Sequence, residues 1–348
     1  MKKHIITLIC VCLTVCFTAY LMLDTFIISR IMEDGAYDVS GSFAGALERL
    51  TGGGDTASAT GTRDTAAPDP GTGDSSGAAA SEQGSTSQAA GTAVPAVGAS
   101  AVSKYLTGAV YEPYSDGNIS VDVKEYRYLD TELYVADVTV SSAEYLKTAF
   151  AKSSYGRNIT AKTSVTAAEN GAILAINGDY YGVQERGYVI RNGKVYRSTA
   201  GSVTELACIY ADGSMGIVSS SDYTAAQLVG GGVWQAFSFG PALITDGLIS
   251  VDSDDEVGRA MASNPRTAIG MISPCHYVFV VSDGRTAGSA GLTLRELAEF
   301  MQGLGAAVAY NLDGGGSSTM YYMGKVINRP TSGGRISERS VSDIVYVG

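Results

Sequence analysis

Residues 311 to 319 read Asn-Leu-Asp-Gly-Gly-Gly-Ser-Ser-Thr, which sets one carboxylate, Asp313, and the hydroxyl of Ser317 around three consecutive glycines, Gly314, Gly315 and Gly316. Glycine lets the backbone take positive φ and leaves successive N–H groups uncovered, so such a loop makes a cradle for an anion. A carboxylate beside an anion cradle suits chemistry on a phosphorylated or acidic substrate. A hairpin that merely turns is the plainer reading, yet a turn rarely needs three glycines together with Asp and paired Ser. Small apolar residues precede the loop from Ala306 to Tyr310, and Met320 to Met323 follow it, so both ends are held by strand-like segments.

Three other segments carry groups of the same kind. Ala172 to Ile176 is an apolar run that ends in Asn177-Gly178-Asp179-Tyr180-Tyr181-Gly182. Asp179 is a candidate catalytic carboxylate, and Tyr180 or Tyr181 a platform for a sugar ring; an Asn-Gly turn with its tyrosines packed on the core competes evenly. Asn264-Pro265-Arg266-Thr267 places an arginine directly after a proline that fixes the backbone, as bidentate phosphate recognition would use. The alternative for Arg266 is a surface ion pair. Asp283-Gly284-Arg285 follows the apolar run Tyr277 to Val281.

The elements that must position these groups are partly legible. Tyr277 to Val281 predicts a buried strand; Thr293 with Glu296 three residues on predicts a capped helix whose apolar face is Leu294, Leu297, Ala298, Met301 and Leu304. Ala306 to Asn311 predicts the next strand. Strand, helix, strand favours a β-α-β unit with parallel strands and a right-handed crossover, from whose carboxyl ends Asp283, Arg285 and Asp313 would emerge. Turn pairs at Asn192-Gly193, Asp212-Gly213 and Asp246-Gly247 predict hairpins and much antiparallel sheet. Together they give an α+β domain with a mixed sheet and flanking helices.

Composition bounds the rest. Residues 5 to 23 are apolar apart from three threonines, with Lys2 and Lys3 before them and Asp24 after, which predicts a transmembrane signal anchor within residues 1–30 that leaves the remainder extracytoplasmic. A cleaved signal peptide is the rival, without a clear small-residue cleavage site. Residues 31–100 read as a linker, because 51 to 100 are mostly Gly, Ala, Ser and Thr and hold no aromatic residue. A coil of that length spans about 40 Å. Residues 101–348 remain for one folded domain. The net charge of −11 argues against general nucleic-acid binding, so any phosphate is met by local cations. Cys208 and Cys275, the two cysteines of that domain, lack zinc-type spacing. His276 is its one histidine, better suited to opening a strand than to serving as a base, which makes a His-dependent triad improbable.

Taken jointly, Asn177-Gly178-Asp179-Tyr180-Tyr181, Phe239-Gly240-Pro241 with Asp246-Gly247, Asn264 to Ala268, Asp283-Gly284-Arg285 and Asn311 to Met320 resemble the phosphodiester glycosidase family, which includes many bacterial proteins of exopolysaccharide biosynthesis. The resemblance spans about residues 120 to 348 in the family's order. It implies hydrolysis of a sugar joined through its anomeric oxygen to a phosphodiester, with a phosphorylated glycan or teichoic-acid-like polymer as partner. It implies roles for Asp313 and Asp179 as catalytic residues and for Asn177, Arg266, Arg285, Gly314, Gly315, Gly316, Ser317 and Arg339 as substrate-binding residues. Arg339 lies in Glu338-Arg339-Ser340-Val341-Ser342, where the family has a basic residue before its last strand. At this point two other readings stay open: a glycopolymer binding or transfer protein without hydrolysis, and a phosphodiesterase using a divalent cation held by Asp179, Asp283 or Asp313.

Overall fold

The computed structural model describes residues 14–16, 18, 30–31, 101–201, 205–251 and 263–348. The expected anchor and the 31–100 linker lie almost wholly outside these residues. Among the described residues no helix is long and apolar enough to cross a membrane.

Strands dominate and helices are few. The largest sheet runs, in spatial order, Leu248–Ile249, Ala242–Thr245, Val308–Asn311, Arg266–Ser273, His276–Ser282, Thr131–Val140, Ile119–Tyr128 and Leu106–Val110, with Tyr114–Ser115 paired at the Ile119 end. A second sheet orders Lys325–Val326, Met320–Tyr322, Leu174–Asn177, Asp343–Val347 and Leu146–Phe150. A third orders Lys194–Arg197, Val189–Arg191, Val233–Phe237, Glu205–Tyr210 and Met215–Ser219. Alternation sets the faces: in Ile119–Tyr128, Ile119, Val121 and Val123 are buried on one face, and Tyr126 is buried on the other, beside the capped helix. One apolar core draws on all three sheets, joining Val138, Phe279 and Tyr310 of the first to Ile176 and Val345 of the second and Phe237 of the third.

The capped helix forms as its sequence dictates. Leu294–Gly303 starts at Thr293, whose hydroxyl accepts from Glu296 N while the Glu296 carboxylate accepts from Thr293 N. Its face of Leu294, Leu297, Ala298 and Met301 packs on Val278, Val280 and Ala309. The three expected hairpins also form.

The mixed sheet does not. Every strand pairing among the described residues is antiparallel, and His276–Ser282 and Val308–Asn311 are not neighbours. Arg266–Ser273 lies between them, antiparallel to both, so the strands flanking the helix are parallel only across an intervening strand. The reason is local: a two-residue turn at Pro274 and Cys275, the latter at φ +62°, folds Arg266–Ser273 back on His276–Ser282 before the helix has been reached. Closing so short a loop costs less entropy than the crossover, and the adjacent position is taken. This inserted strand is what brings Arg266 beside the glycine loop.

Candidate active site

Leu174–Asn177 is buried throughout and ends at the site. Asn177 Nδ2 donates to the Asp313 carbonyl at 2.6 Å, while its Oδ1 accepts from Thr267 Oγ1 at 2.8 Å and from Thr319 N at 3.2 Å. One side chain thus joins three distant segments. Its polar atoms are spent inside the protein, so it fixes the loop and presents no free group to a substrate.

Main-chain bonds complete that junction. Leu312 N donates to Thr267 O and Gly315 N to Pro265 O, both at 2.8 Å, and Arg339 N donates to Gly316 O at 3.1 Å. Gly315 sits at φ +64°, a conformation glycine adopts without strain. The glycines also make room: a Cβ at Gly315 would lie 3.1 Å from Arg285 Nη2, and one at Gly316 would lie 2.9 Å from Arg339 Nη2 and 3.0 Å from Ser332 Oγ. Two guanidinium groups therefore rest directly against bare main chain. Arg285 is steered by Asn264 Oδ1, which accepts from its Nη2 at 2.7 Å and its Nε at 3.1 Å. Arg339 is held through its neighbours: Glu338 accepts from Ser164 N and Oγ, and Ser340–Val341 pairs with Ala161–Lys162. Arg266 lies on the same junction through its backbone, but it is buried and its Nε donates to Leu292 O at 2.8 Å.

Asp313 lies close enough to Arg339 to feel its charge. It is buried, and among the described residues its Oδ2 has no hydrogen-bond partner; neither do the hydroxyls of Ser318 and Thr319, whereas that of Ser317 lies beside the Asp313 carboxyl. Burial pushes the Asp313 carboxyl up to about 6, and the Asp179 charge adds to the rise; the Ser317 hydroxyl, the Arg339 charge and the Gly314 amide draw it back. Buried polar groups normally find partners. Three oxygens of one short loop, those of Asp313 Oδ2, Ser318 and Thr319, thus keep hydrogen-bonding capacity that the described residues do not fill.

Asp179 is differently placed. Its Oδ1 accepts from Arg191 Nη2 at 2.8 Å and its Oδ2 from Ser238 N at 2.9 Å. Arg191 also reaches Asp343 Oδ2 through Nε at 2.9 Å, and its guanidinium lies 4.8 Å from the Phe237 ring centre. All three charged side chains are 1% exposed. Burial pushes Asp343 up to about 7, against the pull of Arg191 and with the push of Asp179. This triad braces the turn after Asn177: Gly178 N donates to Asp343 O, and a Cβ on Gly178 would fall 2.1 Å from Asp343 Oδ1. Tyr181 is not an open sugar platform. It is 1% exposed, stacked at 5.3 Å on Tyr155 and edge-on to Phe150.

Asp283 is buried as well, and its Oδ1 accepts from Asn328 Nδ2 and Arg329 N. Asn328 in turn accepts from Met320 N and donates to Ser318 O, latching the far side of the glycine loop. Among the described residues no three His, Cys, Asp or Glu side chains gather as a cation site would need. Cys208 and Cys275 are both free thiols, and His276 opens its strand with Nε2 2.7 Å from Asp137.

Several of these residues escape sequence reasoning. Arg191 reads as a strand end before an Asn-Gly turn, and Asn328 as a loop residue. Asp343 carries a signal, a lone carboxylate heading the apolar run Ile344 to Val347, since a charge in a buried strand needs a partner.

The chain has similar proteins among those known. The chain is 28% identical over 253 residues to the SPbeta prophage-derived uncharacterized protein YomE of Bacillus subtilis (strain 168), covering 66% of this chain and 38% of that protein. It is 28% identical over 180 residues to N-acetylglucosamine-1-phosphodiester alpha-N-acetylglucosaminidase of Mus musculus, covering 48% of this chain and 35% of the relative. The chain thus spans little more than a third of either curated relative. Its fold matches the zebrafish N-acetylglucosamine-1-phosphodiester alpha-N-acetylglucosaminidase catalytic domain, solved in a form auto-inhibited by its pro-peptide, with a TM-score of 0.53 at 20% identity over 69% of this chain and 86% of that one. The pattern of the phosphodiester glycosidase family matches residues 170–348, half of the chain and the whole of the junction between Asn177, the glycine loop and Asp343, and the chain belongs to that family of hydrolases.

Proposed function

We propose that this chain is an extracytoplasmic glycosidase that cleaves the bond between an anomeric carbon and a phosphodiester oxygen in a cell-envelope or exopolysaccharide glycopolymer. The observation that carries the reading is the buried, unpartnered Oδ2 of Asp313 beside a glycine loop against which Arg285 and Arg339 lie. Breaking the anomeric bond builds positive charge on the sugar, which a carboxylate stabilises, attacks, or uses to orient water. The departing phosphate carries its own negative charge, so it needs cations and amides more than a proton. Arg285, Arg339 and the Gly314 to Gly316 main chain meet that need.

Roles follow from how each group is already engaged. Asp313 is the carboxylate at the sugar centre, and Ser317, whose hydroxyl lies beside it, orients the substrate. Asn177 and Arg266 are positioning residues, because their side chains are bonded within the protein. Asp179, with both oxygens taken, is a positioning residue also. The mouse relative's name specifies a sugar-1-phosphodiester, which supports the substrate class. The apolar run from residue 5 to 23 supports membrane anchoring.

The test is turnover of a chromogenic sugar-1-phosphodiester in isotopically labelled water. Label in the released sugar supports the reading. Label in the phosphate means that the phosphorus to oxygen bond is broken, and no turnover with tight binding means a glycan-binding protein; either result overturns it.

A further inference from the structure

Four arginines around the glycine loop stand out against the chain's net charge of −11. Arg285, Arg329, Arg335 and Arg339 are all exposed, and among the described residues none of them is paired with a carboxylate. From residue 325 to 339 the sequence holds Lys325 and three of these arginines against one acid, Glu338. That acid is turned away, its two oxygens accepting from Ser164 at 2.9 and 2.7 Å. Surface charge here is therefore positive on a molecule that is otherwise acidic, with only the buried Asp283 and Asp313 carboxyls behind Arg329 and Arg339.

The scaffold under these cations is fixed. Thr331–Ser332 pairs with Arg335–Ile336 across Gly333 and Gly334, both at positive φ. Thr331 is buried, Ser337 N donates to Pro330 O at 2.8 Å, and Ser332 Oγ stands 3.0 Å from where a Gly316 Cβ would be. Asn328 and Asp283 pin the near end of the same segment. The hairpin thus leans on the glycine loop through Ser332, which pairs with Arg335, while Arg329 marks its base. Only two of the four arginines, Arg285 and Arg339, lie against the glycines.

We propose that Arg329 and Arg335 form an extended anionic subsite that takes a second phosphate of the same substrate, so the enzyme recognises a glycopolymer with repeating phosphodiesters and not an isolated sugar-1-phosphodiester. This deepens the reading above and rests on it for the position of the first phosphate. A second phosphate joined to the first binds at high local concentration, which raises affinity without a new kind of contact.

Binding tests the subsite independently of turnover. The full-length protein is titrated with a hexameric and a monomeric glycerol phosphate at low salt. The wild type is expected to bind the hexamer at least ~10-fold more tightly, with the gap narrowing as salt rises. The Arg329→Gln/Arg335→Gln variant is expected to lose most of that preference while its circular dichroism stays that of the wild type, since the bond from residue 329 N to Asp283 is kept. Equal affinity of the wild type for hexamer and monomer overturns the proposal. So does a variant that keeps the preference, and so does one that keeps it while losing adsorption to anionic phospholipid vesicles, which would make the patch a membrane contact. Failure of sugar-phosphodiester turnover with the hexamer preference intact would instead count against the glycosidase reading alone.

Discussion

The molecule buries carboxylates in two neighbouring places and treats them in opposite ways. Asp179 and Asp343 share one guanidinium, and Ser238 N occupies the last oxygen of Asp179. Among the described residues Asp313 keeps Oδ2 unpartnered and makes no ion pair, although Arg339 lies near enough to lower its proton affinity. Burying a charge is costly unless it is paired. The first arrangement meets most of that cost within the fold through the Arg191 guanidinium, leaving only Asp343 Oδ1 without a hydrogen bond among the described residues. The second leaves it to be met when a substrate arrives, which is the behaviour of a reacting group, whereas the triad behaves as a brace.

The contrast is broken most directly at Asp313. Asp313→Asn is expected to lower kcat by about 10³- to 10⁴-fold on a sugar-1-phosphodiester, the scale of a lost acid or base group, without loss of fold by circular dichroism. Activity within threefold of wild type would remove Asp313 from the chemistry.

The opposite response is expected at Arg191. Arg191→Met strands two carboxylates in the interior and should cost about 3–5 kcal/mol in denaturant unfolding, with Asp343→Asn in the same chain restoring part of it. Were the single variant as stable as wild type, the triad would not be the brace described here.

The raised Asp313 carboxyl gives a pH signature with a defined sign. Because its folded pKa, about 6, lies above the ordinary carboxylate value of 3.8, the folded state holds the proton longer. Its stabilising contribution is full below the unfolded value and is lost as pH rises through the folded one, roughly pH 4 to 6. Wild type should therefore lose up to about 3 kcal/mol across that window relative to Asp313→Asn, and the two unfolding curves should converge near pH 4. In activity, kcat/KM should climb through about pH 6 as the carboxylate forms; a flat profile there would contradict the assigned role.

The smallest effect is expected at the cradle. Gly315→Ala forces a side chain onto φ +64° and crowds Arg285, for about 1 kcal/mol of stability and a rise in KM larger than any fall in kcat. A change confined to kcat would mean that the glycines serve the chemical step and not phosphate binding.

Much of this architecture is legible from the residues alone, wherever the signal is local. The Thr293 and Glu296 cap, the three hairpins and the strands either side of the glycine loop depend on neighbours in sequence, and they form. The expected crossover into a parallel pair fails because sheet order depends on which strand arrives first, and the short turn at Pro274 and Cys275 decides that. At the site, the segments carrying Asn177, Arg266, Asp313 and Arg339 do converge in space, since each ends a strand or loop of the same junction. What the sequence hides is occupancy. Nothing in the letters of Asn-Gly-Asp tells that Asp179 is bonded on both oxygens, or that its partner stands twelve residues on and shares Asp343, 152 residues further still.

The strand Asp343–Val347 lies between Leu146–Phe150 and Leu174–Asn177, so the turn that orders Asn177 and Asp313 depends on chain made much later than either neighbour. A nascent polypeptide that has emerged only as far as the glycine loop has no Asp343 carbonyl for Gly178 and no second carboxylate for Arg191. The turn that orders Asn177 is therefore completed only once residue 343 has been made, and it ties the middle of the chain to its last strand.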